Sequence, residues 1–120
     1  MIEKIPIRVY EVVGSSLCVA SGDGQKVHDQ IAEVLKANKQ AELSFANVRS
    51  LTSAFLNSAV GQLYGEFTDE QIRDNLSASG ISPEDLALLK RVVDTAKQYF
   101  KDPKRFSATV QKVLKERDAK

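Results

Sequence analysis

"NVRSLTSAFLNSAVGQLYGEF", residues 47–67, decides how this chain is read. It opens with hydroxyls and small side chains, brings in Phe55 and Leu56, and then alternates small with apolar residues almost to its end. Phe55, Leu56, Ala59 and Leu63 recur at helical spacing and define a buried side, which predicts a helix from about Ser53 to Gly65. Ser53, Asn57 and Gly61 fall at i, i+4 and i+8 and make a second stripe, small and polar. A helix that starts this way either packs unusually close to a neighbouring element or presents a surface that a partner reads or modifies. Its cap is Thr52 or Ser53, since a hydroxyl just before the first turn can accept from an unpaired backbone N–H.

Just upstream, "AELSFANV" (residues 41–48) places Ala41, Leu43 and Phe45 on one side and Glu42 and Ser44 on the other, the period of a half-covered strand. "IPIRVYEVV" (residues 5–13) is β-branched and aromatic and reads as a strand, with Pro6 marking its beginning as an edge or terminus. In "GSSLCVASGDG" the middle, "SLCVAS", is expected to pair as a short second strand with the first, and "SGDG" to turn into a helix. From Gly24 onward Val27, Ile31, Val34 and Leu35 form an apolar helical stripe that ends near "KANKQ".

Downstream, "TDEQ" (residues 68–71) has the Thr-x-x-Gln form of a capping box and predicts a short helix through Ile72. "NLSASGI" (residues 75–81) is a candidate for the last strand. "SPED" (residues 82–85) combines a Ser cap, a Pro at the first helical position and two acids where the helix dipole favours them. The helix it starts carries Leu86, Leu89, Val93, Ala96 and Phe100 on one face, widened by Leu88, Val92 and Tyr99. "DP" at residues 102 and 103 predicts a final helix over about 102–118, with Phe106, Val110, Val113 and Leu114 on its buried side. The order is α/β: one domain over residues 1–120, its core at about 5–100, with a small mixed sheet packed with helices and an extra helix at the C-terminal end. Helical connections favour partly parallel pairing with right-handed crossovers, and the alternating strand leaves one sheet face less covered than the other.

Composition fits a soluble globular domain, 42% apolar and 28% charged, with no apolar run near the ~18 residues of a membrane span. The start, "MIEKIPIRVYEVV", lacks the pattern of a secretory signal, and the single Cys18 excludes an internal disulfide, so a cytoplasmic location is expected. The net charge of +1 hides an asymmetry: residues 1–89 hold 7 basic and 12 acidic residues, and residues 90–120 hold 10 basic and 4 acidic. Nucleic-acid binding by the basic end ranks below a basic helix lying across its own acidic body, because no aromatics or glycines interleave the lysines. A homodimer through that last amphipathic helix stays open.

The chemistry-bearing residues are few. Cys18 and His28 are each alone of their kind, and no third group orients them as a nucleophilic pair. His28 is expected to be a solvated helix residue, and no metal site is expected for want of a second imidazole or thiolate ligand. "SGDGQK" invites a phosphate-loop reading, but it lacks the spacing of a P-loop and the third glycine of a dinucleotide site, and Asp23 would sit where phosphate should. Nucleotide binding at this turn, or nucleic-acid binding at the basic end, is therefore the alternative. No enzyme activity, catalytic residue or cofactor is expected.

"LSFANV" followed by a hydroxyl-rich turn into "SAFLNSAVGQLYGEF" resembles the STAS domains of anti-sigma-factor antagonists, and more closely the STAS-like family of unknown function in bacteria. Ser53, Phe55, Asn57, Gly61 and Leu63 match that family's pattern in order; Gly14, Leu17, Ser21 and Gly24 upstream and "ISPEDLALLKRVV" downstream fit as well. The resemblance spans most of residues 5–93. It implies a non-catalytic, regulatory protein-interaction module whose partner is a regulatory protein such as a histidine-kinase-like ATPase. It also implies phosphorylation at Ser53 as a switch of partners, although Thr52 stands where the antagonists have Asp, and Phe55 where they have Gly. Ser50, Thr52, Ser53, Asn57 and Ser58 are the candidate contacts.

Overall fold

The computed structural model describes residues 3–101 and runs, in chain order, β1 (Lys4–Arg8), α1 (Val9–Val13), β2 (Leu17–Cys18), α2 (Ser21–Lys36), β3 (Gln40–Ser44), β4 (Ser50–Leu51) and α3 (Ser53–Ala59). A 3-10 turn (Gly61–Gly65), α4 (Asp69–Asn75), β5 (Leu76–Ser79) and α5 (Pro83–Lys101) follow. The fold is α/β, as expected. Where it differs is in the pairing. The main sheet has order β1-β3-β5 and a second, two-stranded sheet joins β2 to β4; every pairing is parallel. The sheet expected to be mixed is therefore parallel among the described residues, because at least one helix lies between the two strands of every pair and carries the chain back to the same end: α1 and α2 between β1 and β3, α3 and α4 between β3 and β5, and α2 between β2 and β4.

Register follows the apolar pattern. Ile5, Ile7, Ala41, Leu43, Leu76 and Ala78 share one face of the main sheet, buried beneath the helices at Ile7, Ala41 and Leu43 and open at Ala78 on the β5 edge. Lys4, Pro6 and Arg8 of β1 stand beside Gln40, Glu42 and Ser44 of β3 on the other face, and Ser77 and Ser79 of β5 complete it. That face is polar, and among the described residues helices cover only the other side of the sheet, as the alternation in "AELSFANV" predicts. A Lys4–Glu42 ion pair of 3.5 Å crosses it between exposed groups.

Several boundaries need correction. The strand expected over residues 5–13 stops at Arg8, and Val9–Val13 form a short helix. Gly14 ends that helix at φ 79°, its N–H donating to the Tyr10 carbonyl at 2.9 Å; burial of Val9, with Val12 and Val13 packed on the core, overrides the β preference of the run. The strand in "SLCVAS" exists but pairs with Ser50–Leu51 rather than with the first strand. The helix read from Gly24 begins at Ser21, and the strand read over 41–48 ends at Ser44. The helix read over 53–65 is α3 plus the 3-10 turn, joined through Val60. The final helix expected over about 102–118 lies outside the described residues.

Other signals hold as read. Thr68 and Gln71 form the reciprocal capping box: Thr68 Oγ1 accepts from the Gln71 N–H at 3.1 Å and Gln71 Oε1 accepts from the Thr68 N–H at 2.9 Å. Ser82 Oγ accepts from the Asp85 N–H at 3.1 Å and starts α5. β5 pairs with β3 as the last strand. Phe55, Leu56 and Leu63 are fully buried, each stabilising the fold by roughly 1.5–3 kcal/mol relative to exposure.

Candidate functional site

The start of α3 divides its labour between two adjacent hydroxyls. Thr52 Oγ1 accepts from the Phe55 N–H at 3.2 Å and donates to the Val19 carbonyl at 2.7 Å, so Thr52 is the cap and ties α3 to the chain beyond β2. Ser53, the first residue of the helix, is exposed, and its hydroxyl makes no hydrogen bond among the described residues. Capping thus does not account for Ser53.

The small residues have a packing reason on the opposite side. A β-carbon at Gly24 would lie 2.4 Å from the Phe55 carbonyl oxygen and 2.8 Å from Ser58 Cβ, so α2 and α3 approach almost backbone to backbone. These two helices pack on each other more extensively than any other pair. Ser58, half-buried, faces this contact, and Ser50 lies half-buried in the short β2–β4 sheet. Of the five candidate contacts, Ser53 and Asn57 share one open surface, whereas Ser50, Thr52 and Ser58 have structural surroundings.

That surface is a groove of about 410 Å³ between α3 and α5. Ala54, Leu88 and Val92 form its apolar part, and Ser53, Asn57, Arg91 and Thr95 its polar part. Asn57 is positioned by Gly61, where a β-carbon would stand 2.5 Å from Asn57 Oδ1; the stripe of small residues is therefore two groove residues plus the glycine that makes room for one of them. Arg91 is exposed and takes part in no ion pair among the described residues. Sequence reading passed over Arg91, which appears there as one more cation on a basic helix; only the docking of α5 on α3 places it opposite Ser53.

"SGDG" does not form a loop. It forms the first turn of α2, where the Gly24 N–H is bonded to the Ala20 carbonyl at 3.1 Å and the Asp23 carboxylate pairs with Lys26 at 3.5 Å. Its second glycine serves the helix contact described above.

His28 differs from its expected solvated role. It is only 7% exposed, and its ring nitrogens are engaged by carboxylates: Nδ1 by Asp29 at 3.0 Å and Nε2 by Glu66, with the Gln25 amide 3.0 Å from Nδ1. Burial disfavours the charged ring, but the hydrogen bonds and charges of Asp29 and Glu66 outweigh it, so His28 titrates above its ordinary value. Cys18 is fully buried, and burial followed by the charge of Asp23 pushes its thiol up, the opposite of an activated nucleophile. With both ring nitrogens of His28 occupied elsewhere, the two residues form no catalytic pair. No cluster of three or more His, Cys, Asp or Glu suited to a metal occurs among the described residues. No described helix is long and apolar enough to cross a membrane.

Residues 23–86, more than half of the chain, match the family described as a STAS-like domain of unknown function, and the chain belongs to it. No curated protein and no solved structure matches the chain.

Proposed function

We propose that this domain is a non-catalytic protein-interaction module of a regulatory kind, which meets its partner through the groove between α3 and α5. The observation that carries this reading is the groove's make-up: Ser53 and Asn57 from α3, with Arg91 from α5, around an apolar floor. Arginine is among the residue types that interfaces enrich, and the apolar floor supplies area to bury beside it. Membership of a STAS-like family supports a relation to anti-sigma-factor antagonists, and with it a regulatory partner such as a histidine-kinase-like ATPase.

Phosphorylation of Ser53 is the sharper part of the reading. The hydroxyl is exposed and not needed as a cap, and a phosphate there would add up to about −2 charge beside a groove that Arg91 also lines. Partner exchange would follow from that change of charge.

The test is isolation of the tagged protein from its native host at low salt, with mass spectrometry of what accompanies it and of Ser53. A regulatory protein whose binding Ser53→Asp weakens or redirects is the expected result. Recovery of the chain alone, or with nucleic acid only, would overturn the interaction reading; Ser53 unmodified under all growth conditions would remove the switch alone.

A further inference from the structure

We infer that the α3–α5 groove takes an acidic peptide segment of a foreign partner, an Asp or Glu carboxylate seating on Arg91 with an apolar side chain beside it on Leu88 and Val92. The inference rests on the reading of this groove as an interaction site and adds the chemistry of the occupant. Charge decides it. Residues 50–65, which supply the α3 wall, contain no charged residue in a chain that is 28% charged. Arg91 is the one charged residue lining the groove among the described residues, and no carboxylate there answers it. Asp94, one helical turn further along α5, is not part of the lining and makes no ion pair with it.

An unanswered guanidinium bordered by uncharged groups favours a planar anion, which it can hold by two parallel N–H donations. The neighbouring groups fit the remainder of a peptide: Ser53, Asn57 and Thr95 offer donors and acceptors for backbone, and the apolar floor accepts a side chain. Two other occupants fit less well. The chain's own residues 102–120 carry 6 basic and 3 acidic residues, the wrong balance for a site whose charge is positive. A second copy docking by the same two-fold surface would bring Arg91 toward Arg91, a like-charge contact.

The test uses the full-length chain as bait for a phage-displayed library of random peptides, with wild type, Arg91→Ala and Arg91→Glu compared. Wild type is expected to select peptides that place Asp or Glu next to an apolar residue. Arg91→Ala should bind the best of these at least about tenfold more weakly, and Arg91→Glu should lose them and favour Lys or Arg instead. All three proteins should show the same circular dichroism and thermal midpoint, since the side chain is exposed. Peptides selected without acidic enrichment, or equally by Arg91→Glu, would overturn the acidic occupant while leaving the interaction module standing. No peptide selected by any form, or a concentration-dependent dimer that Arg91→Glu dissociates, would overturn the proposal for a foreign peptide.

Discussion

Gly24 rests against the backbone carbonyl of Phe55: a β-carbon on the glycine would come within 2.4 Å of that oxygen. The obstacle is backbone rather than the end of a flexible side chain, so accommodating a methyl group requires α2 and α3 to separate. Gly24→Ala should therefore destabilise the domain by about 1–3 kcal/mol despite the better helix propensity of alanine. At Gly22, two residues earlier, a β-carbon meets nothing within 4 Å, and Gly22→Ala should be neutral or stabilising. Urea unfolding of both variants checks this; equal stability would show that the helices do not meet at Gly24.

The two hydroxyls at the start of α3 should separate stability from binding. Thr52→Val removes a cap that accepts at 3.2 Å and donates at 2.7 Å, and should cost about 1 kcal/mol or more. Ser53→Ala should leave the unfolding midpoint unchanged and alter only partner binding. A destabilised Ser53→Ala would make Ser53 part of the framework.

His28 and Glu66 give a pH dependence of definite sign. The folded-state value of His28 is raised above its ordinary 6.5, so the stability it contributes is fully present below 6.5 and is lost as pH rises through the folded value. Because the chain has one histidine, a single imidazole signal reports it by proton NMR. The midpoint should lie above 6.5 in the wild type and fall in Glu66→Gln, and the stability gap between the two proteins should narrow as pH climbs through that window. A wild-type midpoint at or below 6.5 would contradict the arrangement.

Phe100 packs on Gly65, where a β-carbon would lie 2.6 Å from the aromatic ring. Gly65→Ala should loosen the end of α5 from the 3-10 turn, at a cost of about 1 kcal/mol or more. Faster amide exchange over residues 96–101, with α2 unaffected, is the expected signature.

What the sequence revealed, and what it concealed, follows the range of each interaction. The capping box at Thr68 and Gln71 and the Ser82 cap bond groups three residues apart, so their residues announce them. The β2–β4 pairing escaped notice because two-residue strands are too short for an alternation to show. "VYEVV" read as strand because local propensity cannot express the burial of Val9 and the left-handed Gly14 that turn it into a helix. His28 looked solvated because the partner that buries its charge, Glu66, is 38 residues away. Likewise Ser53 and Asn57 were visible as a stripe, whereas Arg91 joins them only through the packing of two helices distant in sequence.

The most direct test of the account is an amide-exchange footprint of the partner recovered from the native host, bound to the full-length chain. Protection should gather on residues 52–58 and on 88–95, the two walls of the groove, and Arg91→Glu should abolish it. Protection instead on the polar sheet face, at Lys4–Arg8 and Leu76–Ser79 with the groove unchanged, would contradict the account.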